Sequence, residues 1–95
     1  MKTIKVYQSE YNKKIPLEYI GRVKYVGKTF GVDSLTNDKI YNVVYDKNRT
    51  IKIVDDSNED YYYDLINPSP IDGSSDGGKF YIIEDLNGIL SKIIK

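Results

Sequence analysis

The stretch KIYNVVYDKNRTIKIVDDSNEDYYY, residues 39–63, decides the fold. Lys39 to Tyr45 reads as a strand that is apolar on both sides, through Ile40, Tyr41, Val43, Val44 and Tyr45. Asp46-Lys47-Asn48-Arg49 has the short polar composition of a tight turn. Thr50 to Val54 follows as a second strand, β-branched at Thr50, Ile51, Ile53 and Val54. Asp55-Asp56-Ser57-Asn58-Glu59-Asp60 is a second, acidic turn, and Tyr61-Tyr62-Tyr63 is a short aromatic strand. Two tight turns between three strands make residues 39–63 an antiparallel meander.

Outward from the meander, Arg22 to Gly27 alternates, with Val23 and Tyr25 on one face and Lys24 and Val26 on the other. Phe80 to Ile83 reads as a further strand, and Ile4 and Val6 alternate weakly in a short one near the N-terminus. Lys28 to Asp38 is a long loop, in which Phe30, Val32 and Leu35 are expected to tuck back onto the core. Residues 64–79 form a second long loop, where Asn67-Pro68-Ser69-Pro70 and Asp72-Gly73-Ser74-Ser75-Asp76-Gly77-Gly78 oppose regular structure. Residues 8–21 read as polar and irregular, with Pro16 breaking any helix. Ile89, Leu90, Ile93 and Ile94 fit either a short helical stripe or a final strand. The expected architecture is all-β: a small five-stranded barrel over residues 22–95, closed or nearly so, behind an N-terminal extension of residues 1–21.

Composition narrows the chemistry. The 95 residues fit one domain with one modest core. No apolar run has the length to cross a bilayer as a helix, and the basic N-terminus is not followed by the apolar stretch of a leader, so a cytoplasmic location is expected. The chain has no cysteine and no histidine. Thiolate and imidazole zinc sites, disulfides and nucleophiles activated by histidine are therefore excluded. Fourteen basic and fourteen acidic residues cancel, but residues 1–31 hold seven Lys/Arg against two Asp/Glu, and residues 32–95 hold seven against twelve. A closed sheet is expected to mix these halves in space. Tyrosine occurs ten times, against two phenylalanines and no tryptophan. Such a composition suits a recognition surface, since each ring offers apolar area with a polar tip.

Val23-Lys24-Tyr25-Val26-Gly27, Leu35-Thr36-Asn37-Asp38-Lys39-Ile40-Tyr41 and the acidic turn leading into Tyr61-Tyr62-Tyr63 together resemble a group of small uncharacterised proteins of Gram-positive bacteria and their mobile elements. The resemblance spans about residues 22–85. It implies a Src homology 3-like β-barrel, a scaffold that mostly serves binding rather than catalysis. The chain lacks the tryptophan that lines a proline-binding groove, which argues against recognition of proline-rich peptides.

Three motifs have catalytic or metal-binding counterparts. Gly73 to Lys79 satisfies G-x-x-x-x-G-K, but Phe80 stands where a phosphate-binding loop needs Ser or Thr, and a strand rather than a helix is expected to follow. The Asp55–Asp60 run is rich in oxygens, yet it lacks the spacing, the glycine and the distal glutamate of a calcium loop. The same carboxylates could act as an acid–base pair only in a cleft that holds a sugar, which a barrel of this size rarely provides. No cofactor, metal or catalytic site is expected.

The expected function is a non-catalytic module for an unidentified protein partner. Asp55, Asp56, Glu59 and Asp60 would supply charge complementarity. Tyr61 and Tyr63, with Tyr25 and Tyr41 nearby, would supply contact area. Tyr62 would turn into the core, and the loops at 28–38 and 64–79 would flank the site. A second reading is single-stranded nucleic-acid binding by the basic N-terminal third, where Lys2, Lys5, Lys13, Lys14, Arg22, Lys24 and Lys28 interleave with tyrosines. A third, following from the resemblance, is a mobile-element-encoded inhibitor of a host protein. An unpaired edge strand would offer a route to a dimer, but no residue pattern selects an oligomeric state.

Overall fold

Five of the six strands follow one another as a meander in the computed structural model, which describes residues 1–94. They are β1 (Thr3–Gln8), β2 (Lys13–Gly27), β3 (Ile40–Tyr45), β4 (Ile51–Val54) and β5 (Asp60–Tyr61). The sixth, β6 (Gly78–Asp85), returns to pair with β2. All pairings are antiparallel. The 39–63 meander is present as expected, except that its last strand ends at Tyr61.

The sheet curls into a half-barrel and does not close. Among the described residues no ladder joins β1 to β5. The all-β expectation holds, and the five-stranded barrel expected to be closed or nearly so is a curled half-barrel of six strands.

β2 organises this shape. Fifteen residues long, it pairs with three strands. β3 lies along one side from Glu18 to Lys24. β1 and β6 share the other side, β1 against Lys13–Glu18 and β6 against Gly21–Gly27. Residues 8–21 are therefore not irregular: they form a hairpin turn and the first half of β2. Ile15, Leu17 and Tyr19 alternate with Lys14, Pro16 and Glu18, a period of two that Pro16 disguises. The missing N–H of Pro16 costs no ladder bond. Tyr19 N donates to Lys2 O at 2.8 Å, so Leu17 and Ile15 also bond toward β1 and Pro16 faces the opposite side. There β3 begins only at Glu18. Pro16 sits at a locally unpaired edge, where strands tolerate proline.

A bulge gives β2 two inner faces. Tyr19 is opposite Val44 and Gly21 is opposite Val43, so Ile20 is the extra residue. One extra residue reverses which face the following side chains occupy. Before the bulge, Leu17 packs with Val6 and Val44, flanked by Ile4, Ile15 and Val54. After it, Val23 and Tyr25 join Ile20, Phe30, Leu35, Tyr41, Val43, Ile53, Phe80, Leu90 and Ile94 on the opposite face. Residues of one parity thus serve both clusters. Val43 and Val44, adjacent in β3, and Ile53 and Val54, adjacent in β4, divide between them in the same way.

The connections complete the larger cluster. Phe30 and Leu35 turn the 28–38 loop inward through a bridge between their backbones, whereas Val32 points to solvent instead of tucking back. Tyr25 meets Phe30 and Phe80 edge to face, with ring centroids 5.8 and 5.9 Å apart. The C-terminal segment adopts the helical alternative in its tightest form, two 3-10 turns at Leu86–Gly88 and Leu90–Lys92. Asp85 holds them by accepting from Leu90 N at 2.8 Å and Ser91 N at 2.9 Å, and Leu90 is fully buried.

Gly21 marks a tight approach beside the bulge. A Cβ there would strike the Glu84 carbonyl oxygen and lie 2.8 Å from Leu90 Cδ1. Both neighbours are held, one by the β2–β6 ladder and the other by the core. Gly21→Ala is expected to lower the unfolding free energy by about 2 kcal/mol or more, read from urea denaturation. Unchanged stability would mean that the crossing of β6 and the C-terminal turn over the bulge is loose.

Candidate interaction surfaces

The acidic turn between β4 and β5 is a structural clip. Asp55 is buried and accepts from Ser57 N at 3.0 Å and from the Tyr63 hydroxyl at 2.6 Å. Asp56 accepts from Lys39 Nζ at 2.7 Å, Thr36 Oγ1 at 2.8 Å and the Tyr41 hydroxyl at 2.9 Å. Glu59 accepts from Ser9 N at 2.9 Å, and Asp60 from Gln8 Nε2 at 2.6 Å. Lys52 Nζ adds ion pairs to Asp46 at 3.0 Å and Asp60 at 3.8 Å. The four carboxylates expected to face a partner instead tie the turn to the first hairpin, the 28–38 loop and β3.

The tyrosines divide differently from the alternation expected of them. Tyr25 and Tyr41 are core residues. The Tyr25 hydroxyl donates to Lys28 O at 2.6 Å, and that of Tyr41 also accepts from Thr36 N at 2.7 Å. Because β5 stops at Tyr61, the chain leaves the ladder before Tyr62. Tyr62 is then 72% exposed rather than in the core, and Tyr63 turns inward to pack on Phe30 with ring centroids 6.4 Å apart. Tyr61, at 48%, is the one member of the expected contact set whose ring is largely free.

Local fields follow from these contacts. Burial pushes the Asp56 carboxyl up, but donors from Lys39, Thr36 and Tyr41 together outweigh it and hold the group below its ordinary value. Burial, reinforced by the hydrogen bond to Asp55, pushes the Tyr63 phenol far above its usual range. The Tyr19 phenol is pushed up to about 12 by burial and by Glu84. These shifts belong to groups that already hold one another.

Three of the seven cations in the basic N-terminal third are engaged within the chain. Lys2 lies over the Tyr19 ring, 4.5 Å from its centroid. Arg22 pairs with Glu84 at 3.5 Å, and Lys24 with Asp38 at 3.8 Å.

A surface that the sequence reading did not assemble lies on the outer face of β2, β3 and β6. Lys24 is opposite Ile40 on one side and Tyr81 on the other, so the three form one row across the sheet. Arg22 makes the next row with Asn42 and Glu84, and Val26 faces Lys79. Ile83, unpaired in a bulge of β6, completes the patch. Val26, Ile40, Tyr81 and Ile83 are between 37% and 54% exposed. The alternation of Lys24 with Val23 and of Tyr81 with Phe80 already marks these residues as outward. The register that places Ile40 and Tyr81 on either side of Lys24 is a tertiary fact.

A concave feature elsewhere is a groove of about 510 Å³ between β1 and the 57–58 turn. Ile4, Lys5, Val6, Tyr7, Lys14, Asn42, Val54, Ser57 and Asn58 line it. The Gly73–Lys79 stretch leads into β6 rather than into a helix. No family model, curated protein or solved structure matches the chain. No helix among the described residues is long and apolar enough to cross a membrane.

Two predictions test the clip. Tyr63→Phe strands Asp55 Oδ2 in a buried site and is expected to cost about 1–2 kcal/mol, with a Tyr63→Phe/Asp55→Ala double-mutant cycle showing the two losses to be strongly non-additive. The Asp56 carboxyl, depressed in the folded chain, stabilises it above the ordinary carboxylate value of 3.8. That contribution disappears as the pH falls through the folded value. Urea midpoints should hold steady above about pH 5 and decline below about pH 4, with a shallower decline in Asp56→Asn. Parallel profiles for the two proteins would show that Asp56 does not contribute to the acid transition.

Proposed function

We propose that the chain is a non-catalytic module that binds a protein partner in the cytoplasm, through the outer face of β2, β3 and β6 rather than through the acidic turn. The observation that carries this reading is the cross-strand row Ile40–Lys24–Tyr81, flanked by Val26 and Ile83, exposed on hydrogen-bonded strands. Exposed apolar side chains gathered on one face of a rigid sheet mark interaction sites. Tyrosine and arginine are enriched in binding hot spots, and this face carries Tyr81 and Arg22. The curled sheet and its 39–63 meander support kinship with the Src homology 3-like barrels, whose rigid scaffolds present such faces. An inhibitor of a host protein encoded by a mobile element is one form of this reading.

A protein suits the face better than nucleic acid does. Two of its three cations, Arg22 and Lys24, already have carboxylate partners, and Glu84 lies within the patch. Both features weaken attraction to phosphates.

Affinity capture from bacterial lysate, with and without nuclease, tests the proposal. A protein that survives nuclease and is lost from an Ile40→Ser/Tyr81→Ser variant is the expected result. Both positions are exposed, so the fold is expected to change by no more than about 0.5 kcal/mol per site. Capture that collapses on nuclease treatment would assign the face to nucleic acid. Capture lost instead from Tyr61→Ala/Tyr62→Ala would move the contact to the β4–β5 hairpin.

A further inference from the structure

β1 has an unpaired edge that faces the open seam of the half-barrel. Its bonds to β2 run through Lys2, Ile4, Val6 and Gln8, a pattern set by Tyr19 N donating to Lys2 O. Thr3, Lys5 and Tyr7 therefore turn their N–H and C=O groups outward. Consecutive residues Ile4 to Tyr7 all line the groove of about 510 Å³. Since successive side chains point to opposite faces, a groove that touches all four runs along the strand, and Lys14 of β2 and Asn42 of β3 extend it onto the neighbouring strands. At one end the seam is pinned, Gln8 to Asp60 and Ser9 to Glu59. Along Ile4–Tyr7 it is open, with Val54, Ser57 and Asn58 as the far wall.

We infer that this slot accepts an extended segment of a partner protein as an added strand, one in which apolar residues alternate with acidic ones. An added strand places alternate side chains beside each face of β1. One set would lie beside Ile4 and Val6, over the apolar cluster that includes Val54. The other would lie beside Thr3, Lys5 and Tyr7, with Lys14, opposite Tyr7 on β2, one strand further in. Among the described residues no carboxylate is within 4.0 Å of the Lys5 or Lys14 ammonium. Their charge is open to an acidic neighbour. A second copy is a poor occupant: full antiparallel overlap of two β1 edges centred on Lys5 sets Lys5 against Lys5, and like charges directly opposite are destabilising. The inference rests on the reading of the chain as a protein-binding module but uses a different surface.

The test uses the whole protein and synthetic peptides of about nine residues. One alternates valine with glutamate, one alternates valine with lysine, and one scrambles the first. Amide spectra and hydrogen exchange report the site. The valine–glutamate peptide is expected to slow exchange at Thr3, Lys5 and Tyr7 by about tenfold or more, leaving the Lys24 and Tyr81 amides unmoved. Lys5→Glu/Lys14→Glu, changes at two exposed positions, is expected to reverse the preference toward the valine–lysine peptide by about tenfold. Absence of protection with the valine–glutamate peptide, equal binding of the scrambled one, or a preference unaltered by the double charge reversal would overturn the inference. So would protection that appears without peptide as protein concentration rises, which would assign the edge to a second copy. The Ile40→Ser/Tyr81→Ser variant should bind the peptide normally, so failure here and failure of the sheet-face reading are told apart.

Discussion

The single extra residue at Ile20 is the constraint on which the rest of the structure depends. A strand as long as β2, paired on both sides, would otherwise present all its odd-numbered apolar residues to one face. The bulge turns Leu17 toward one cluster and Val23 and Tyr25 toward the other. It also bends the strand, so that β1 and β6 occupy different stretches of the same side. The curl of the half-barrel, the position of the open seam and the exposure of the face bearing Lys24 all follow from that local reversal.

The β4–β5 turn shows how charge in a small domain is used for cohesion. With no disulfide available, a chain of this size relies on whatever long-range contacts its core and polar groups provide. Asp55, Asp56, Glu59 and Asp60 reach the first hairpin, β3 and the chain after β5, and none is an isolated surface charge. Their hydrogen bonds to hydroxyl and backbone donors carry geometric specificity that exposed ion pairs lack. What the turn leaves for solvent is its aromatic end, Tyr61 and Tyr62. Other exposed apolar side chains, Val26, Ile40, Tyr81 and Ile83, lie elsewhere, on β2, β3 and β6.

The two proposed surfaces differ in physical character. The outer sheet face offers side chains on a finished scaffold, so contact there requires only burial of area. The β1 edge offers backbone donors and acceptors that remain wet until a strand arrives, so contact there adds a ladder. Lysine on an exposed edge also discourages indiscriminate pairing. Lys5 therefore protects the edge from like strands while leaving it open to acidic ones.

Strand positions in the meander were legible in the sequence because period-two alternation and turn residues are local signals. The inward turn of Phe30 and Leu35 was legible as apolar residues set in a polar loop. The first half of β2 was obscured by Pro16, whose harmlessness depends on where β3 begins. The acidic run was visible as composition, but whether its carboxylates met a partner or the chain itself depended on distant residues, Ser9, Lys39 and Tyr63 among them. Tyr25 and Tyr41 looked no different from Tyr61 until the core formed around them. By itself the sequence determined an all-β chain with these turns, since alternation and backbone preference act within a few residues. Only the tertiary structure decided which charges were free, which rings were exposed and where the sheet stayed open, because cross-strand register and a one-residue bulge are settled by packing across the whole chain.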